Sequence, residues 1–416
     1  MEQKITREER HWILYDVGNS AYTMLVTTII PIYFNYIAGN QGVNSVDYLA
    51  YWAYAASVVT LIVAILGPIV GTFTDNKGFK KPIFIVSLAI GSVCCVALGF
   101  TGHWLLFLIM FIISKIGYSS SLIFYDSMLP DVTTPERMDK ISTSGYAWGY
   151  IGSCIPFIVC IGIVLKGGDL FGISMETAMM ISFVITALWW VGMTLPLLRT
   201  YKQKYYVECE KHAVAETFKR LGHTLANARK HSKIFWFLIA FFFYIDGVYT
   251  VIDMATSYGQ ALGLESSGLL LALLVTQLVA FPCAIIFGKL AQKFEAQKLI
   301  TVCIFAYIGI VVFAIFLTNI VEFWILAVMV GMFQGGIQAL SRSYFTKIIP
   351  PEQSGEFFGI YDICGKGAAF LGTTLVGLVS QMTGSINKGI SVLSLLFVLG
   401  LIFFRIAAAS AKKDQG

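Results

Sequence analysis

The sequence predicts an all-α membrane protein with twelve transmembrane helices in two pseudo-symmetric halves of six. Three observations support this prediction. The 416 residues are 57% hydrophobic and only 13% charged, whereas a soluble domain carries about 25% charged residues. The apolar residues gather in twelve runs that are each about as long as the roughly 20 helical residues needed to cross a bilayer. The basic residues fall almost entirely on one predicted face of the membrane.

The twelve runs divide evenly around one long polar segment. The predicted spans of the first half are Trp12–Ala38, Tyr48–Thr74, Pro82–Phe100, His103–Met128, Ser142–Leu165 and Met175–Leu198. Those of the second half are Ile234–Tyr258, Ser267–Gly288, Leu299–Leu317, Phe323–Phe345, Phe357–Ser380 and Ile390–Ala408. We therefore predict an N-terminal half over 1–198, a basic central loop over 199–233 and a C-terminal half over 234–416. Within the loop, Ala213 to Ala228 is compatible with a surface-lying amphipathic helix or a solvated linker.

The distribution of positive charge predicts the orientation. Of the 29 Lys and Arg residues, only Lys166 and Lys388 fall in loops on the opposite face, and Lys115, Arg342 and Lys366 lie within spans. All the others share the side of both termini and the central loop, which is cytoplasmic by the positive-inside rule. An odd number of spans would separate the termini and destroy this bias, so twelve spans fit better than eleven or thirteen.

One loop is repeated in the two halves. The loop after span 2 runs from Gly71 through Asp75 and Gly78 to Lys81, and the loop after span 8 runs from Gly288 to Lys298. The glycine and the final lysine recur at the same spacing, while the second copy lacks the acid and the second glycine. Two six-helix halves with the same topology and a substrate site between them are an established plan of secondary transporters.

The loop from Gly71 to Lys81 resembles the signature loop of the major facilitator superfamily, and the resemblance implies the major facilitator fold. A gating role suits its residues. Gly71 allows a neighbouring helix to approach closely, and Asp75 can face a helix N-terminus or a base across the interface between the halves. A turn that only sets the topology is the simpler alternative.

Four further segments resemble the vacuole-effluxer (autophagy-related) family within that superfamily. They are Leu14–Ala21, Tyr244–Val248, Gln334–Ser343 and Glu356–Lys366. Fungal members of this family are linked to amino-acid efflux from the vacuole, so the resemblance implies a transporter of small solutes.

Ionisable residues inside spans indicate where function lies, because such residues are costly in a bilayer and normally face the bundle interior. Span 7 carries Asp246, Thr250, Asp253 and Ser257 on one face. Asp246 lies near mid-membrane, and Lys115 on span 4 reaches a similar depth. We therefore predict either an ion pair between Lys115 and Asp246 or their joint contact with a zwitterionic substrate. A structural ion pair without a role in transport is the alternative.

Other spans supply further candidates for substrate or ion-coupling contacts. They are Asp16 and Asn19 on span 1 and Gln334 and Gln338 on span 10. Arg342, nearer the cytoplasm, is either a topology anchor or a functional residue, as an anion contact or as a gate partner of Asp16 or Asp126. Asp362 and Lys366 stand four apart on span 11 and can satisfy each other within one helix.

The leading hypothesis is a secondary active transporter that moves a small polar or zwitterionic solute, such as an amino acid, by alternating access. The alternatives are an exporter of lipophilic or cationic compounds and a non-transporting sensor on a transporter fold. No enzyme is expected, because the five histidines lie at span edges or in the central loop.

No cofactor or metal is predicted, and coupling to protons or to sodium stays open. The expected partners are the solute and the lipid bilayer without nucleic acid, and the chain is expected to act as a monomer in the plasma (inner) membrane.

Overall fold

The computed structural model describes residues 4–208 and 232–413. In these ranges twelve helices have 18 residues or more. They are α1 (Arg7–Asn40), α2 (Ser45–Thr74), α3 (Lys80–Ala97), α4 (Trp104–Ser127), α5 (Met138–Phe171), α6 (Met175–Thr200), α7 (Ser232–Ala261), α8 (Ser266–Leu290), α9 (Ala296–Ile315), α10 (Ile320–Ile348), α11 (Ser354–Thr383) and α12 (Ile386–Lys413). Most of the predicted central loop, including 213–228, lies outside the described residues.

Local signals explain where several helices begin and end. Thr6 caps α1 by accepting from the Glu9 main-chain N–H, and the Glu9 carboxylate accepts from the Thr6 N–H in return. Asn319 likewise caps α10. Such caps satisfy main-chain donors that have no partner inside the helix. At the other ends, Gly172 after α5 and Gly384 after α11 adopt the left-handed conformation that favours glycine.

The helices are suited to a bilayer. Eleven of them are long and apolar enough to cross a membrane. The twelfth, α11, has 30 residues, and the side chains of positions 366–370 within it are not described. Large apolar side chains such as Leu61, Val93 and Leu188 are exposed on the outside of the bundle, where lipid rather than water is the matching solvent. The predicted all-α membrane fold is therefore confirmed.

The packing of the first six helices repeats in the last six. Helix α1 packs against α5 and α6, and α7 correspondingly packs against α11 and α12. Helix α3 packs against α4, and α9 packs against α10. The two sets of six meet mainly where α2 contacts α11 and α5 contacts α8. A two-fold pseudo-symmetry exchanges each helix with the one six positions along the chain, so that α5 corresponds to α11 and α8 corresponds to α2. The α5–α8 contact is therefore the symmetry equivalent of the α2–α11 contact.

The contact between α2 and α11 is a close approach of two main chains. A Cβ atom on Gly71 would overlap the Gly355 carbonyl oxygen, and a Cβ on Gly359 would lie 2.6 Å from the main chain of Gly67. Small residues at a crossing let helices pack at main-chain distance. These glycines therefore hold the two halves together at the end of the bundle where α2 ends and α11 begins, called here the basic face.

Candidate substrate site and gate

Arg342 on α10 is the centre of a buried cluster at the basic face. Its Nη1 donates to Asp126 Oδ1 at 2.9 Å, and its Nη2 donates to Asp16 Oδ2 at 3.2 Å. Nε donates to the Ser142 hydroxyl at 2.9 Å. The structure thus brings Arg342 together with both carboxylates proposed as its partners. Only 2% of Arg342 is exposed, whereas a topology anchor would extend towards the membrane surface.

Three aromatic rings enclose this guanidinium. Its Cζ lies 4.5 Å from the ring centroid of Tyr146, 4.7 Å from Trp12 and 5.6 Å from Tyr125. Tyr125 also donates from its hydroxyl to Asp16 at 2.8 Å. Cation–π contacts of this kind are strongest where water is excluded. Sequence reasoning missed these aromatic residues, because aromatics near the ends of spans are common membrane-interface residues in any membrane protein.

Asp75 lies at the N-terminus of α11. Its Oδ1 accepts from the Gly355 N–H at 2.7 Å, and its Oδ2 accepts from the Glu356 N–H at 3.0 Å. The carboxylate is fully buried. The first amides of a helix have no partner within the helix and carry the positive end of its dipole, so they bind an anion well. Two kinds of partner were predicted for Asp75, a helix N-terminus and a base. These hydrogen bonds join it to a helix N-terminus.

Lys80 forms a further link between the halves at the same face. The buried Lys80 Nζ lies 3.6 Å from Asp131 Oδ2 and donates to Ser354 Oγ of the other half at 2.9 Å. Further along, Lys347 on α10 donates to Asp139 on α5 at 2.6 Å. Most of the hydrogen bonds and ion pairs that join the two halves among the described residues lie at this face, so this end of the bundle is closed.

A short segment after α6, residues 201–208, packs against the loop that holds Asp75; we call it the strap. The Tyr201 hydroxyl donates to Asp131 Oδ2 at 2.6 Å, and two strap amides donate to Asp131 Oδ1. Gln203 Nε2 donates to the Thr74 carbonyl at 3.1 Å. The Val207 N–H donates to the Asp75 carbonyl at 2.8 Å, beside a single β-bridge between Val207 and the next residue of the loop. The strap therefore ties the start of the central loop to the loop that carries Asp75.

The middle of the bundle holds the charges predicted to meet the substrate. The Lys115 ammonium on α4 lies 4.7 Å from the ring centroid of Tyr118 and 5.9 Å from that of Tyr22. Its charge is within electrostatic range of the Asp253 carboxylate on α7. Asp253 is exposed and within electrostatic reach of Lys115 in the other half, so it faces the space between the halves.

Asp246 has a different environment from Asp253. It is fully buried, and its Oδ1 accepts from the Gly372 N–H at 2.9 Å and from the Thr250 hydroxyl at 3.3 Å. Its Oδ2 has no hydrogen-bonding partner among the described residues. The structure thus does not join Lys115 and Asp246 in an ion pair, and the carboxylate that it brings near Lys115 is Asp253.

The remaining candidates are divided between the two regions. Asn19 is buried and donates to Asp16 Oδ1 at 3.3 Å, so it supports the Arg342 cluster. Gln334 is buried with its Nε2 unpartnered within the described part of the chain, and Gln338 donates to the Gln334 carbonyl at 3.1 Å. The side chains of Ser257 and Lys366 lie outside the described residues. No group of His, Cys, Asp and Glu in the described ranges could hold a metal ion.

Comparison with known proteins identifies close and distant relatives. Residues 5–416 match the family described as Vacuole effluxer Atg22 like. The uncharacterized MFS-type transporter YxiO of Bacillus subtilis (strain 168) is 43% identical over 418 residues, which cover 100% of this chain and 98% of that protein. Autophagy-related protein 22-1 of Aspergillus niger is 26% identical over 286 residues, covering 63% of this chain and 46% of the fungal protein.

Solved structures show the same fold. The major facilitator superfamily transporter FucP in the outward conformation superposes with a TM-score of 0.73 at 14% identity, covering 96% of this chain and 97% of FucP. A bacterial homologue of the iron transporter ferroportin in an outward-facing state gives a TM-score of 0.69 at 13% identity, covering 98% and 99%. The predicted resemblance is confirmed: the chain belongs to the Atg22-like vacuole effluxer family, and it is a multi-pass major facilitator superfamily transporter and not an enzyme.

Proposed function

We propose that this protein is a secondary active transporter that moves a small zwitterionic solute by alternating access. The observation that carries the proposal is the position of two opposite charges, Lys115 and Asp253, on different halves and on the inner side of a closed basic face. Membership of a transporter family supports it. An amino acid is the simplest solute with this charge pattern.

Lys115 and Asp253 have complementary tasks in this proposal. The ammonium of Lys115 attracts the carboxylate of the solute, and the carboxylate of Asp253 attracts its amino group. A zwitterion that binds both charges draws α4 and α7 together, so binding is coupled to the relative position of the halves. A solute that contacts only one half would bind equally well whether the halves are apart or together, so it would not shift the equilibrium between the two conformations.

The basic face acts as the gate in this proposal and is cytoplasmic by the positive-inside rule. For the solute to reach the cytoplasm, the contacts that join the halves at this face must separate, including the Lys80–Ser354 and Lys347–Asp139 hydrogen bonds. Arg342 must leave Asp16 and Asp126, and α11 must withdraw its first amides from Asp75. Gly71 permits the close crossing that returns when the gate closes. We further propose that the protein acts as a monomer in the plasma membrane with both termini cytoplasmic.

A thermal-shift screen tests the substrate class. Purified protein is heated with amino acids, sugars, nucleosides and lipophilic cations, and the midpoint of unfolding is recorded for the native chain and for Lys115→Met and Asp253→Asn. A zwitterionic amino acid is expected to raise the midpoint of the native chain and to lose most of that effect in both variants. Lys388→Met, at the start of α12 and far from the gate, is the matched control. Stabilisation by lipophilic cations alone, or undiminished stabilisation in both variants, would overturn the proposed site.

A further inference from the structure

Asp246 is a buried acid with unequal oxygens. Its Oδ1 accepts two hydrogen bonds, and its Oδ2 accepts none from the described residues. The side chain has no exposed surface. Within the described ranges no cation lies beside it, which distinguishes it from two other buried carboxylates, since Asp16 contacts Arg342 and Asp131 contacts Lys80.

The helices packed against α7 bring no compensating charge to Asp246 among the described residues. The side chain of Lys366 on α11 lies outside the described residues. The other polar groups of these helices towards the middle and the ends of the bundle include Tyr307 on α9, Gln334 and Arg342 on α10, Tyr361 and Asp362 on α11, and Lys388 and Arg405 on α12. None of these is joined to Asp246 by a hydrogen bond or an ion pair. On α7 itself, Asp253 lies two turns away and is attracted by Lys115.

An ionised carboxylate without a cation or water is very costly in such a place. Two donors on one oxygen reduce this cost, but they leave the second oxygen desolvated and unpartnered. Protonation of Oδ2 removes the charge and leaves both observed hydrogen bonds to Oδ1 intact. The geometry therefore matches a neutral acid.

We infer that Asp246 carries a proton in this closed conformation and is the site at which the coupling proton binds. The inference rests on the proposed transport function and names its coupling ion. One proton binds at Oδ2 when the gate is closed and leaves from Oδ2 when Asp246 becomes hydrated in the alternative conformation. The proton is taken from water on one side of the membrane and returned to water on the other, so the step is balanced.

Helix α11 connects this acid to the gate. Gly372 in its middle donates to Asp246, while Gly355 and Glu356 at its start donate to Asp75. A Cβ on Gly372 would lie 2.5 Å from Asp246 Oδ1, so only glycine permits this approach. Ionised Asp246 requires water that the closed packing excludes. Loss of the proton therefore favours a movement of α11, and with it the opening of the gate.

Infrared spectroscopy tests protonation directly and needs no substrate. Protein in liposomes at neutral pH should show the carbonyl stretch of a neutral carboxylic acid, and Asp246→Asn should remove that band. Asp246→Glu should shift it, which keeps the test decisive if the Asn variant folds poorly. Asp169→Asn, at an exposed acid outside both the site and the gate, is the matched control and should leave the band unchanged. A band that survives Asp246→Asn unaltered, or the absence of such a band from the native chain, would overturn the inference.

A labelling experiment tests the coupling to the gate. Thr346 is buried at the basic face, and Thr346→Cys is made in a chain whose eight native cysteines are replaced. The rate of maleimide labelling is compared with and without Asp246→Asn at each pH, which cancels the intrinsic pH dependence of the thiol. At low pH the chain with Asp246 and the chain with Asp246→Asn should label at the same rate, because both side chains are neutral. At higher pH the chain with Asp246 should label several-fold faster, because its carboxylate ionises and the gate opens. A ratio of the two rates that is independent of pH would overturn the coupling even if the thermal-shift screen identifies a zwitterionic solute.

Discussion

The carboxylate of Asp75 in the first half accepts a 2.7 Å hydrogen bond from the main-chain N–H of Gly355 in the second half. Because the donor belongs to the main chain at a helix N-terminus, the contact depends on where α11 begins and not on the side chain it carries. Closure of the basic face is therefore sensitive to small displacements of one helix.

Replacing Asp75 by Ala should open the basic face. Two buried N–H groups would lose their acceptor, and each unsatisfied buried donor costs about 1–3 kcal/mol. Spin labels at Pro135→Cys and Glu352→Cys, on opposite halves, should report a longer mean distance in Asp75→Ala. Asp47→Ala, which removes an acid from the other end of α2, should leave the distance unchanged. An unaltered distance in Asp75→Ala would show that this carboxylate does not hold the gate.

Replacing Gly355 by Ala should separate α2 from α11. The added methyl group would overlap the Gly71 carbonyl oxygen and the Thr74 hydroxyl, and overpacking of this kind costs about 1–3 kcal/mol. The expected result is a lower midpoint of thermal unfolding. Gly377→Ala on the same helix is the control, because no described atom outside its own stretch of helix lies within 4 Å of the position of its added Cβ. Equal midpoints for the two variants would contradict the close crossing.

Replacing Arg342 by Gln should destabilise the closed state more than removing the whole cluster does. The single change leaves the buried Asp16 and the partly buried Asp126 without a cation, and breaking a buried ion pair in this way costs about 3–5 kcal/mol. Adding Asp16→Asn and Asp126→Asn should restore part of the loss in thermal stability. If the triple variant is as unstable as the single one, the three residues do not act as one electrostatic unit.

Replacing Tyr201 by Phe should loosen the strap. The change removes the hydroxyl that donates to Asp131, a hydrogen bond to a charged group worth about 1.5–3 kcal/mol. Faster amide exchange is expected across the strap by mass spectrometry. Tyr205→Phe is the control, because Tyr205 contributes its main-chain groups to the strap and its side chain is exposed. Equal exchange rates in the two variants would show that the Tyr201 hydroxyl does not hold the strap.

The strap should also be insensitive to pH. Burial and the neighbouring Asp131 carboxylate raise the pKa of Tyr201 well above its ordinary value. The hydroxyl therefore remains a neutral donor throughout the physiological range, since deprotonation would require a pH above the raised pKa. Amide exchange in the strap, corrected for its intrinsic pH dependence, should not change between about pH 6 and pH 9. A sharp loosening in this range would contradict the role of Tyr201.

The sequence predicted the features that depend on position along the chain. Hydropathy indicates the spans, the repeated loop indicates Asp75, and the charges within the spans indicate candidates such as Arg342. It did not predict which buried groups meet between helices. Asp131 was missed because it follows α4 in a polar loop, where an acid is ordinary, and only the fold brings Tyr201 and Lys80 to it.

The choice of partner for Lys115 shows the same limit in physical terms. Depth in the membrane was counted from the ends of the spans, but helices tilt and extend beyond the bilayer. Helix α7 begins at Ser232, before the predicted span. Asp246 and Asp253 are seven residues apart and share one helix face, so an error of two turns in depth exchanges one for the other.

The strap has a consequence for how the protein can be divided. Its hydrogen bonds run to residues of the first half, so that half continues at least to Val207, beyond Thr200, where α6 ends. Two fragments expressed separately and cut after Glu208 would keep these bonds within the first fragment. A cut after Thr200 would transfer the strap to the second fragment, which would then have to bind the first through it. The place of the cut thus determines whether the strap contacts the Asp75 loop within one fragment or between the two fragments.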